Sequence, residues 1–217
     1  MRRSRIIYFQ KRHCADSEQL YGLRRARKPL PIEMNFDNFS IRPLAAEDAS
    51  DYFHLIEGNK GRIAKYFPNV TVANRDIDST VLFIAERIRL AEKRELISYT
   101  VLDNDTQRII GGLFLKNFDW HVQKCECSFF IDGEYEGKGI TTKAVSVLID
   151  HCFRELRLNR VYMRIAEDNI SSRRVAEKNG FVEEGILHQD FKKSGGEFVD
   201  VVYYGLLRTA ADKRSGG

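Results

Sequence analysis

Residues 136–141 read Glu136-Gly137-Lys138-Gly139-Ile140-Thr141 and lie between two segments of different period. Upstream, Cys125, Cys127, Phe129 and Ile131 alternate with Glu126, Ser128 and Phe130, the period of a strand running to Asp132. Downstream, Val145, Leu148, Ile149, Cys152 and Leu156 recur at helical spacing, with Phe153 beside them, and predict a long amphipathic helix from about Ile140 to Leu156. The stretch is therefore a strand-to-helix turn with two glycines. Such a turn lets backbone approach a ligand closely where a helix begins. The unpaired N–H groups and partial positive charge of a helix N-terminus suit a pyrophosphate there. A glycine-rich turn alone is a weak signal.

A second stretch strengthens it: Asn169-Ile170-Ser171-Ser172-Arg173-Arg174-Val175-Ala176-Glu177-Lys178-Asn179-Gly180-Phe181. Asn169 opens a short helical segment, and Asn179-Gly180 has the composition of a C-terminal cap. The two stretches at this spacing resemble the GNAT superfamily of acetyl-CoA-dependent N-acetyltransferases and, within it, the RimJ/RimL branch.

The order of elements agrees with that resemblance over residues 39–208. Phe39–Leu44 alternates as a strand. Ala49, Tyr52, Phe53 and Ile56 mark one helix, and Ile77, Val81, Ile84, Ile88 and Ala91 a longer one, with an irregular helical loop at 59–70 between them. Three strands follow, around Ile97–Val101, Arg108–Phe118 and Val122–Asp132. After the long helix come a strand at Val161–Ile165, the short helix and a closing hairpin of 181–193 and 198–207 around Ser194-Gly195-Gly196. The expected fold is α/β, a GNAT-like mixed and mostly antiparallel sheet flanked by helices. The expected organisation is a leader at 1–33, one domain at 34–210 and a tail at 211–217.

Composition narrows the function classes. Hydrophobic residues at 43% and charged residues at 30% are ordinary for a globular chain. No apolar run approaches the ~20 residues of a membrane span, and the apolar patch after the first arginines is shorter than the ~7–15 residues of a secretory signal core. The expected location is cytoplasmic, with no membrane partner. Residues 1–33 hold nine Lys/Arg against three Asp/Glu, and the rest holds 26 against 28, so the net charge of +4 belongs to the leader. The leader reads as a disordered tail, as sequence translated upstream of a start at Met34, or as a nucleic-acid arm. The last is the weakest reading, because charge runs are mostly just solvated. Cys14, Cys125, Cys127 and Cys152 form no ligand framework, and no metal is expected.

Acyl transfer from acetyl-CoA to an amine requires that the pyrophosphate be held, the thioester carbonyl polarised and the amine made neutral, and the leaving thiolate takes a proton. For the pyrophosphate, the family motif is Gln/Arg-x-x-Gly-x-Gly/Ala, and this chain has Glu136 first, Gly139 in the middle and Thr141 last. The resemblance implies mainly backbone contacts from Gly137, Gly139, Ile140 and Thr141, with Lys138 adding charge, Glu136 at the motif's first position, and Thr142 either contacting the ligand or capping the helix. It implies further that a backbone N–H near Phe129, Phe130 and Ile131 meets the thioester oxygen, and that Asn169 touches the pantetheine arm or serves only as an N-cap. For the base, a glutamate in an apolar strand needs a reason, because buried carboxylates are costly unless paired. Glu126 is the first candidate and Asp190 the second, with a structural ion pair as the alternative for Glu126. Where many relatives place a tyrosine for the thiolate, this chain has Ala176; Ser172 is the nearby hydroxyl in register. Trp120 and Tyr66-Phe67-Pro68 are weaker candidates for the acceptor pocket. The acceptor expected from the resemblance is a protein N-terminus, a polyamine or another small amine, attacked directly in a ternary complex. Another acyl-CoA donor, or a CoA-binding module without catalysis, are the rivals, and a homodimer is left open.

Overall fold

The computed structural model describes residues 33–215; the basic leader before Glu33 and the last two residues of the tail lie outside them. The strands are β1 (Met34–Phe36), β2 (Phe39–Pro43), β3 (Leu96–Asp103), β4 (Ile109–Asp119), β5 (Lys124–Ile131), β6 (Arg160–Ala166), β7 (Val182–Lys192) and β8 (Phe198–Leu207). The helices are α1 (Ala49–Gly58), α2 (Lys60–Tyr66), α3 (Pro68–Ala73), α4 (Ile77–Glu92), α5 (Ile140–Arg154), α6 (Ile170–Lys178) and α7 (Arg208–Ser215). One eight-stranded sheet has the order β1-β2-β3-β4-β5-β6-β8-β7. Every neighbouring pair is antiparallel except β5 with β6. A parallel pair needs a crossover, and the glycine turn with α5 supplies it.

Alternation divides the central strands between two cores. On one face Phe130 and Phe114 meet Phe67 at ring distances of 5.7 and 6.1 Å, and Tyr52, Leu55, Ile56, Ile63 and Ile84 from α1, α2 and α4 complete the cluster. On the other, Cys125, Cys127 and Cys152 of α5 are buried. Burial pushes the Cys127 thiol well above its ordinary range, so it stays neutral. The two cysteines of β5 are therefore small core residues, as their alternation suggests.

Two glycines of β4 let β5 come close. A Cβ on Gly111 would sit 2.8 Å from the Phe130 carbonyl oxygen, and one on Gly112 3.0 Å from the Phe130 ring. A backbone oxygen cannot rotate away. Gly111→Ala should lower stability by about 1–3 kcal/mol in urea unfolding, the usual cost of overpacking. An unchanged midpoint would show that the two central strands separate more easily than their packing implies.

Candidate active site

The parallel pairing of β5 with β6 is short. It runs through Lys124↔Arg160, Cys125↔Val161 and Glu126↔Tyr162 and stops there among the described residues. β5 continues to Ile131 paired only with β4, while β6 continues to Ala166 paired only with β8. The strands splay, and a cleft opens in the wedge. It is lined by Glu126, Cys127, Ser128 and Phe129 on one side and by Met163, Arg164, Ile165 and Ala166 on the other. Lys116, Tyr66, Phe67, Asn169, Ser172, Phe191 and Val201 close it. The free edge of β5 offers backbone groups to an extended ligand as a missing strand would. The Ser128 hydroxyl, buried and lining the cleft, has no hydrogen-bond partner, an orphan that a polar ligand can satisfy.

The glycine turn stands beyond the open end of β5. After Ile131 a 3₁₀ turn at Gly133–Tyr135 leads to Gly137 and Gly139, with φ of +73° and +79°. Both lie in the left-handed region where a side chain is strained. Gly139 is the N-cap of α5 and supplies no side-chain cap, so the first N–H groups of the helix are not taken by one. Thr142 lies inside the helix and is not its cap; its carbonyl accepts from Asn179 Nδ2 at 3.2 Å, which ties the end of α6 to the first turn of α5. Glu136 pairs with Arg62, and Arg62 Nη1 donates to Asn59 Oδ1, which also accepts from the Gly133 amide at 2.9 Å. These contacts brace the turn against α2. Lys138 lies 5.1 Å over the Tyr135 ring. The turn can thus present main-chain N–H groups to an anion without its side chains converging on it.

Glu126 is 3% exposed, and both of its oxygens are engaged. Asn117 Nδ2 donates to Oε2 at 2.8 Å, and Lys116 Nζ lies 3.2 Å from Oε1. Adjacent strand residues ordinarily point to opposite faces. Here the β4–β5 register shifts between Lys116 and Asp119, and Asn117 has φ of +53°, so the bulge turns two neighbouring side chains toward one carboxylate. Tyr162, register partner of Glu126, is pushed up to about 12 by burial and by the Glu126 charge, and its phenol stays protonated.

The structure thus gathers Glu126, Phe129, Asn169 and Ser172 around one cleft and places residues 136–142 at the turn beyond it. Asn169 caps α6, its Oδ1 accepting from the Ser172 amide at 3.2 Å. Asp190 is not among the lining residues; it pairs with Arg164 at the rim. Tyr66 and Phe67 line the cleft, whereas Trp120 stacks on Phe118 at 4.7 Å away from it. Sequence reasoning did not single out Lys116 and Arg164, which line the cleft, or Asn117 and Tyr162, which stand beside Glu126. Lys116 alone carried a signal, as a charge following the apolar run 109–115.

Comparison with known proteins shows the family. The family model described as Acetyltransferase (GNAT) domain matches residues 38–182. The Bacillus subtilis (strain 168) protein named "Putative ribosomal N-acetyltransferase YdaF" is 33% identical over 173 residues, covering 79% of this chain and 92% of that one. A spermidine N(1)-acetyltransferase of Vibrio cholerae is 28% identical over 115 residues, covering 53% and 66%. The structure of RimL, a ribosomal L7/L12 alpha-N-protein acetyltransferase in complex with coenzyme A, superposes with a TM-score of 0.74 at 19% identity, covering 83% of this chain and 98% of that one. The chain belongs to the GNAT acetyltransferase family and is an N-acetyltransferase that uses acetyl-CoA.

Proposed function

We propose that the wedge between β5 and β6 is the acyl-transfer site, that the turn at 137–142 holds the pyrophosphate, and that a primary amine attacks directly in a ternary complex. The observation that carries this reading is the splay after Glu126↔Tyr162, which puts a free strand edge, a buried carboxylate and an orphan hydroxyl in one cleft. Bound acetyl-CoA supplies the activated acyl group and a thiol as leaving group. A backbone amide near Phe129–Ile131, on the free edge of β5, stabilises the developing oxyanion. Glu126 takes a proton from the amine, directly or through a water, and Asn117 holds its carboxylate in one orientation. Ser172 is the candidate donor toward the departing thiolate.

The acceptor class draws on the relatives. The word ribosomal stands in the names of two of them, one of which is an alpha-N-protein acetyltransferase, and spermidine in the third, so a protein N-terminus and a polyamine are the acceptors to test. The deciding experiment incubates the full chain with acetyl-CoA and a panel of amines, reading thiol release and the mass of the product. Release that depends on an amine supports transfer. Binding of acetyl-CoA without release from any amine would favour a binding module.

The domain is proposed to begin at Met34, whose strand pairs Met34↔Ile41 at the sheet edge. A chain starting at Met34 should match the full chain in melting temperature and in thiol-release rate. A large drop in either would assign residues 1–33 a role in the domain.

A further inference from the structure

The cleft is not electrostatically neutral toward an incoming amine. Its charged lining residues are Lys116, Glu126 and Arg164, two cations to one anion. Arg164 is paired with Asp190 and its charge also acts on Glu126, but the cation in direct contact with the candidate base is Lys116, 3.2 Å from Glu126 Oε1. An alkylammonium entering the site would come to the same carboxylate that Lys116 already holds. It would meet a like charge at close range beside a buried carboxylate, and that charge, though partly solvated, repels it. An amine arriving neutral meets no such barrier. It can use the remaining lone pairs of the carboxylate, since Asn117 and Lys116 occupy two of about four acceptor sites.

Resting on the reading of this cleft as the acyl-transfer site, we propose that Lys116 is a specificity-determining residue, a charge filter that disfavours acceptors arriving as cations. The filter separates the two amine classes. An α-amino group has a pKa of about 8 and is roughly one quarter neutral at pH 7.5, whereas a lysine-type or polyamine nitrogen near about 10.4 is neutral in about one part in a thousand. The side chain of Lys116 is 35% exposed, so it is not locked by burial as Glu126 is. The simpler role, a counter-ion that merely permits the burial of Glu126, makes a different prediction. Losing a counter-ion impairs Glu126 and weakens both acceptors, spermidine the more, so the peptide-to-spermidine ratio holds or rises; losing a filter lowers that ratio.

The test uses the full-length chain with acetyl-CoA and two probes, a short peptide with a free N-terminal serine and spermidine, at pH 7.5. The wild type should prefer the peptide in kcat/KM. In Lys116→Met, which keeps the aliphatic stem, the peptide-to-spermidine ratio should fall at least about tenfold, mainly through a lower KM for spermidine. Lys116→Arg, which keeps the charge, should hold the ratio within about twofold of wild type. Should Lys116→Met fold poorly, Lys116→Gln retains a neutral donor to Glu126 and carries the same expectation. A Lys116→Met or Lys116→Gln ratio equal to or above wild type, with both rates lowered, would overturn the filter while leaving acyl transfer intact. A wild type that prefers spermidine would overturn it as well. Absence of thiol release with either probe and across the wider amine panel would overturn the transfer reading and the filter with it.

Discussion

Replacing Glu126 by Gln should lower kcat/KM by about 10²–10⁴-fold at neutral pH, the usual contribution of a positioned general base. Gln has the same shape, and Asn117 can still bond its amide oxygen, so the fold should survive. The loss depends on the acceptor. At pH 7.5, removing a proton from a lysine-type amine costs about 4 kcal/mol before attack, against under about 1 kcal/mol for an α-amino group. The defect should therefore be larger on spermidine than on a peptide N-terminus. It should shrink as pH rises toward the pKa of the amine, because solvent then supplies the neutral form. Wild-type rates at pH 7 on the best acceptor would make Glu126 a structural ion-pair partner of Lys116. The same pH series on Asp190→Asn would then test the next carboxylate.

The second large effect is expected at the turn. Gly139 has φ of +79°, and a Cβ built on it meets no protein atom within 4 Å. The space beside it is open among the described residues. Gly139→Val fills that space and strains the backbone, a β-branched residue being poorly suited to the left-handed region. Acetyl-CoA affinity by calorimetry should fall by about tenfold to a hundredfold, as expected when one charge-assisted hydrogen bond of about 1.5–3 kcal/mol is lost. Gly139→Asn separates the two causes, since Asn tolerates a positive φ. If close approach is what matters, Asn also loses affinity; if only backbone geometry matters, it keeps it. Unchanged affinity in a folded Gly139→Val would remove the turn from the cofactor site.

The parts of this molecule legible in its sequence are those with local causes. The alternation of β5 placed Glu126 opposite Cys125 and Cys127, and the apolar spacing of α5 and the cap residues of α6 were visible in the same way. Short elements were not. β1 has three residues, too few to show a period, and residues 59–70, expected as an irregular helical loop, are helical but resolve into the end-to-end short helices α2 and α3 with Pro68 in the first turn of the second. α7 begins inside the expected domain and continues into the stretch expected as a tail. The surroundings of Glu126 were hidden for a different reason. Asn117 reaches the carboxylate only through a bulge that breaks alternation, and Tyr162 faces it only through the β5–β6 register, a relation between residues 36 positions apart. Local patterns specify which way a side chain points along its own strand. They do not specify what stands across from it.

Amide hydrogen exchange with and without saturating acetyl-CoA tests the central claim most directly. Binding in the wedge predicts added protection at Phe129–Ile131, where β5 has no neighbour on the β6 side, and at Gly137–Thr142, where the helix N-terminus receives the pyrophosphate. Binding accompanied by no protection at either segment, or by protection confined to other elements, would contradict the account.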